Sequence, residues 1–279
     1  MQKAFFGKGG RSLEHFYTML EFNDRASLVQ KEWGPTQYII TYARRQGTND
    51  PLGETTYLVS VLPRELRGQY DGTISVPYTF VAEHEQKNGL AGHLREHRLV
   101  NANRFLREVG LANTTGQARI LTFCEFENPY LLTLDEHHES KRNAKIWPLR
   151  RAMLWYNVGY RSFNLDFYAE LRGKDGAAPC YHYNLAVLVG SPSPPITREV
   201  LARHVTVQAA ICRKHGDDPK SDPDHRKVIA AITVKAEHKP EDRREELRRL
   251  EGPLHALLDA PRDPNKTSLP VNQLLNLES

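Results

Sequence analysis

A chain of 279 residues with 39% hydrophobic content is long enough for one large domain or two smaller ones and apolar enough for a core, which excludes a disordered tail. A formal net charge of +4 is compatible with a polyanionic partner but excludes the footprint of a dedicated DNA-coating protein. Three widely spaced cysteines, Cys124, Cys180 and Cys212, argue against a disulfide framework. No apolar run approaches the roughly 18 residues of a membrane span, so the expectation is a cytoplasmic protein with no signal peptide and no membrane partner.

In chain order, Ser12 to about Trp33 places Leu13, Phe16, Tyr17, Leu20, Leu28 and Val29 near helical spacing, and Gly34-Pro35 stops the helix. Extended segments follow at 36–45, 55–62 and 73–87, separated by Gly47, Pro51-Leu52-Gly53, Pro63 and Asp71-Gly72, and they predict an antiparallel meander. A helix over 90–109 presents Leu90, Leu94, Val100, Phe105, Leu106 and Val109 on one face and His93, Arg95, His97, Arg98, Arg104 and Arg107 on the other. A strand at 119–126 comes next, then a short strand at 130–134 and a polar turn at 135–143. The C-terminal third reads as strand 181–189, helix 197–214, strand 227–236 and helix 241–259, followed by a proline-containing arm. The fold class is therefore α+β: a mixed central sheet flanked by helices, with an additional β-α-β-α C-terminal section. Residues 1–135 form a candidate core and 136–279 a second section, or the two make one continuous domain.

The segment TISVPYTFVAEHEQK alternates Ile74, Val76, Tyr78, Phe80 and Ala82 in the manner of a half-buried strand and ends in Glu83, His84, Glu85 and Lys87. Glu54 opens the preceding strand, so antiparallel neighbours could gather these groups, and carboxylate oxygens beside a lysine suit Mg²⁺ and an attacking water. The order helix, three strands, helix, strand over residues 12–126, with Glu54 followed by Glu85-Gln86-Lys87 or Glu83-His84-Glu85, resembles the PD-(D/E)xK nuclease superfamily. That resemblance implies a metal-dependent endonuclease with Glu54, Glu83, Glu85 and Lys87 catalytic, and Glu54 and Glu85 holding Mg²⁺. It also implies a homodimer matched to the two-fold symmetry of DNA. A charged strand terminus leading into a turn is the alternative.

Between Glu139 and Lys174, eight Lys or Arg residues against three acids alternate with aromatic rings, a mixture that can neutralise phosphates and stack on bases. The expected nucleic-acid contacts are Arg95, Arg98, Arg104, Arg150, Arg151, Trp155, Tyr160 and Arg161. The rings also have apolar company in Leu149, Met153, Leu154 and Val158, as core residues would. A non-catalytic nucleic-acid-binding subunit of a larger ribonucleoprotein or defence complex is the second reading. Cys180-Tyr-His182 and Cys212-Arg-Lys-His215 supply a zinc ligand set, but nothing in the spacing brings the two pairs together.

Overall fold

The computed structural model describes residues 26–48, 50–86, 88–111, 118–165, 183–189, 195–212 and 219–276. The chain divides into two compact units. Of the described residues, one takes those up to Cys124 together with Glu199–Asp222; the other takes those of Glu125–Arg198 and from Pro223 onward.

In the first unit, helix α1 (Ala26–Trp33) leads into β1 (Thr36–Arg44), β2 (Pro51–Val61) and β3 (Gly72–Val81), which form the expected antiparallel meander. Helix α2 (Leu90–Glu108) then carries the chain back so that β4 (Ile120–Glu127) pairs in parallel with β3, making the sheet mixed. Helix α5 (Arg198–Cys212) supplies the opposite layer: Val207 packs with Tyr38 and Leu58, and His204 stacks on Phe123 with ring centroids 3.9 Å apart. Covered on both faces, β2 is buried from Gly53 through Val61 and lacks the alternation of a half-exposed strand.

Two glycines fix how closely α2 lies on the sheet. A Cβ on Gly53 would stand 3.1 Å from Leu90 Cδ2 and 3.2 Å from Leu94 Cδ1, and one on Gly72 would stand 3.2 Å from Leu106 Cδ2. The helix therefore runs antiparallel to β3, with Leu90 and Leu94 at its C-terminal end and Leu106 at its start. Arg203 on α5 donates to the carbonyls of Trp33 and Val61, tying that helix to the ends of α1 and β2.

The second unit contains α3 (Leu134–Ala144), α4 (Pro148–Val158), β5 (Tyr160–Ser162) antiparallel to β6 (Tyr183–Leu188), and the two-residue pair β7 (Ile196–Thr197) with β8 (Glu237–His238). Helices α6 (Pro223–Thr233) and α7 (Arg244–Asp259) and the short α8 (Pro264–Thr267) and α9 (Val271–Leu274) complete it. Leu247, Leu250, Leu254 and Leu258 form the buried stripe of α7 at helical spacing. Three sequence expectations change. Residues 130–133 are turn and bend with a single bridge, Thr133 to Pro270, rather than a strand, and Leu134 already begins α3. Residues 135–143 are helical because Thr133 and Glu136 close a capping box over the first turn of α3. The segment 227–236 is mainly helical because His225, Val228 and Ile232 are buried at spacings of three and four, a helical face that the β-branched residues disguised. Most of the expected helix at 12–33 lies outside the described residues.

Candidate functional site

The first unit is built around a strand-helix-strand passage whose middle is irregular. Along the β2–β3 ladder Thr56 faces Tyr78 while Leu58 faces Ser75, so Tyr57 stands opposite two residues, Val76 and Pro77. That is a bulge, and Pro77, which has no amide to give a ladder, occupies the place where a donor is dispensable. The parallel ladder to β4 ends at the same level, with Val76 opposite Cys124. Beyond this point β3 continues to Val81 on the arm of β2 alone as far as these two ladders go.

After β3, Ala82 N–H donates to Leu52 O, and Glu83–Glu85 make one 3-10 turn. The strand thus ends at Val81, ahead of the acids. Gly89, at φ +80°, starts α2 with no side chain capping the helix. This left-handed conformation explains glycine at 89. Gly92 needs another explanation, because a Cβ there would meet nothing within 4 Å. A glycine inside a helix costs about 1 kcal/mol relative to alanine, and packing does not require this one. An uncapped helix start at the C-terminal end of a parallel strand, with no side chain at Gly89 or Gly92 to crowd it, is an anion cradle: Gly92 N–H turns back to Gly89 O at 2.9 Å, but the amides of Leu90 and Ala91 ahead of it have no intrahelical acceptor, and the helix dipole adds positive potential.

The acids sit differently from their sequence expectation. Gly53 faces α2, so Glu54 projects from the other face of the sheet, level with Phe80. Glu54 is 8% exposed, its Oε1 has no hydrogen-bond partner, and burial raises its pKa above the ordinary carboxylate value. Glu83 is exposed, whereas Glu85 accepts from Asn88 Nδ2 at 3.2 Å and lies 3.9 Å from Arg45 Nη2. Lys87 lies outside the described residues. Among the described residues no group of three His, Cys, Asp or Glu side chains is placed to hold a metal ion. Another acid-x-lysine run, Glu139-Ser140-Lys141, is on α3, with Ser140 donating to Glu127.

The basic residues divide by unit. On α2, Arg104 is exposed and Arg95 half-buried, while Arg98 is only 3% exposed, on the stripe Leu94, Arg98, Ala102, Leu106 that faces the sheet. In the second unit, Arg150 pairs with Glu251 at 3.6 Å, Arg151 with Glu127, and Arg161 with Asp242 at 3.1 Å. Tyr160 is fully buried and takes the edge of the Trp155 ring at 5.2 Å between centroids. These cations are matched by acids of their own unit, and one of the two rings is core. Cys180, His182 and His215 lie outside the described residues.

The sequence reading missed Gly89 and Gly92. The signal available was a glycine pair three apart directly after a strand and at the start of a helix, which is weaker than a full phosphate-binding fingerprint.

No protein-family model matches the sequence, and no curated protein matches it. Solved structures do. A candidate acetyltransferase of the GNAT family from Desulfovibrio desulfuricans is 17% identical, over 64% of this chain and 82% of its own, with a TM-score of 0.33. A Bacillus subtilis acetyltransferase in complex with CoA is 16% identical, over 64% and 94%, with a TM-score of 0.28. An aminoglycoside 6'-N-acetyltransferase complexed with coenzyme A is 13% identical, over 67% and 97%, with a TM-score of 0.30. Likeness at this level assigns no activity to this chain by itself. The resemblance to PD-(D/E)xK nucleases is corrected: the solved structures named here are acetyltransferases, and among the described residues the carboxylates that such a nuclease needs are not brought together to hold a metal. With it go the endonuclease function, the reading as a non-catalytic nucleic-acid-binding subunit, and Mg²⁺ as cofactor. Glu54 and Glu85 supply the physical side of that correction: one is sealed on the face away from α2, and the other lies beyond the strand, engaged with Arg45 and Asn88.

Proposed function

We propose that this protein is an acyltransferase that takes its acyl group from a thioester of the coenzyme A kind. The observation that supports this most is the junction of β3 and α2: a parallel strand that parts from its neighbour at a proline bulge and runs into an uncapped helix with bare backbone at Gly89 and Gly92. Phosphate groups are the natural occupants of such a helix start. The amides of Leu90 and Ala91 at the start of α2 would hold the phosphates of the donor, and the thioester, when bound, supplies an activated acyl group.

Glu54 lies at the same end of the sheet but on the face away from α2, so the cradle does not bring the donor to it. Among the described residues no helix is long and apolar enough to cross a membrane. Cys124 is buried and in no disulfide, in keeping with a reducing, cytoplasmic setting.

The test is titration of coenzyme A into the full chain by calorimetry, beside Gly92→Glu. The substitution puts a carboxylate into the amide cradle, in a position where a helix accepts it, replacing a residue that disfavours helix by about 1 kcal/mol. Binding by the unsubstituted protein, weakened at least ten-fold in G92E with unchanged circular dichroism, upholds the reading. No binding by the unsubstituted protein, or equal binding by G92E, refutes it.

A further inference from the structure

Arg98 is a buried cation to which the described residues offer no anion. It is 3% exposed, its Nε is shut off from water with no hydrogen-bond partner, and among the described residues it has no ion pair. Taking a guanidinium out of water costs several kcal/mol unless a partner compensates it, so an unpaired one is unexpected in a site with a purely structural role.

Its level along β3 follows from the two glycine contacts. Counting from Leu106 at Gly72, eight residues of helix rise about 12 Å, which is about four residues of strand and reaches Val76. Counting from Leu94 at Gly53, which lies opposite Val81, four residues span about 6 Å, or about two strand residues, and reach Thr79. Arg98 therefore stands over Val76 to Thr79, the stretch that holds the bulge, Pro77 and the end of the ladder to β4. Side chains on a helix lean toward its N-terminus, so the guanidinium is inclined from the parting of the strands toward the cradle at Gly89–Gly92.

We infer that Arg98 is a specificity-determining residue, the receptor for a carboxylate on the acyl group or on the acceptor. This rests on the acyltransferase reading for the identity of the ligand, though not for the presence of an anion subsite. A carboxylate fits best: it is planar, pairs with a guanidinium through two parallel hydrogen bonds, and is small enough for a group this enclosed. The bulkier phosphates have the amides of α2.

Two ligand pairs distinguish the sources. Stable thioethers of coenzyme A, S-(2-carboxyethyl) against S-propyl, probe the donor; free amino acids against their amides, added to the coenzyme A complex, probe the acceptor. Calorimetry with the unsubstituted chain is expected to favour the carboxylate member of one pair at least ten-fold. Arg98→Met should abolish that preference without changing the affinity for plain coenzyme A, and Arg98→Lys should retain part of it. Without ligand, R98M should unfold at the same or a higher temperature, since a buried unpaired charge has been removed. Equal binding within both pairs overturns the inference, as does a preference that survives in R98M. If coenzyme A itself does not bind, the acyltransferase reading fails, and thermal shifts with succinate and glutarate against their diamides decide on Arg98 alone. A carboxylate-specific shift lost in R98M upholds the subsite, and its absence overturns it.

Discussion

Acid should weaken the first unit through one histidine. His204 sits between α5 and the sheet, stacked on Phe123 at 3.9 Å between ring centroids and 3% exposed. Burial pushes its pKa down from the ordinary value to about 3, a hydrogen bond with Gln208 opposing only in part. In the unfolded chain it titrates near 6.5. At pH 7 both states are largely neutral there; at pH 5 the unfolded chain has bound a proton that the folded one refuses. The folded state is thus penalised progressively as pH falls below the unfolded pKa, by about 1.4 kcal/mol per unit, or about 2 kcal/mol at pH 5. Against a typical stability of about 5–15 kcal/mol that is readily measured. His204→Phe keeps an aromatic ring on Phe123 and removes the titration, while the broken contact with Gln208 costs the same at both pH values. Urea unfolding of both chains at pH 7 and pH 5 should show the unsubstituted protein losing about 2 kcal/mol more than H204F between the two. An equal loss in the two proteins would refute the argument.

Glu54 predicts the opposite sign. Its pKa is raised by burial, so the folded state is penalised at high pH and relieved as pH falls through that pKa; Glu54→Gln should raise the melting temperature at pH 8 and leave it nearly unchanged at pH 4. Equal melting temperatures at pH 8 would count against the burial argument. Thr133→Ala removes the capping box of α3 and should cost about 1 kcal/mol by denaturant unfolding; no measurable loss would mean that tertiary contacts, rather than the cap, hold that helix.

The elements were legible wherever hydrophobic period and local stop signals agreed. The meander, α2 and β4 follow from hydrophobic period and from turns at Gly47 and Asp71-Gly72. Long-range covering was not legible. The stretch 227–236 looks like a strand until His225 is counted as part of the buried face. On α2 the apolar and basic faces were drawn through the wrong residues: Val100 is 54% exposed, and Arg98, two positions away, is buried. Spacing from Leu94 through Ala102 to Leu106 would have put Arg98 inside, but the rule that arginine belongs to solvent overrode it. The candidate site was half visible for the same reason. The sequence drew attention to the end of β3 through its charges, whereas the chemistry there lies in backbone exposed by two glycines and in a bulge set by pairing with β2.

The helix that covers the sheet's second face comes late in synthesis. Glu199 follows Cys124 by 75 positions, so a ribosome working at about 5–20 residues per second leaves Tyr38, Leu58 and Phe123 without their lid for roughly 4–15 seconds. During that interval the nascent sheet is finished on the α2 side and open on the other. Chaperone demand should therefore concentrate there, and codon choice between the two segments could set how much of the chain survives to be folded.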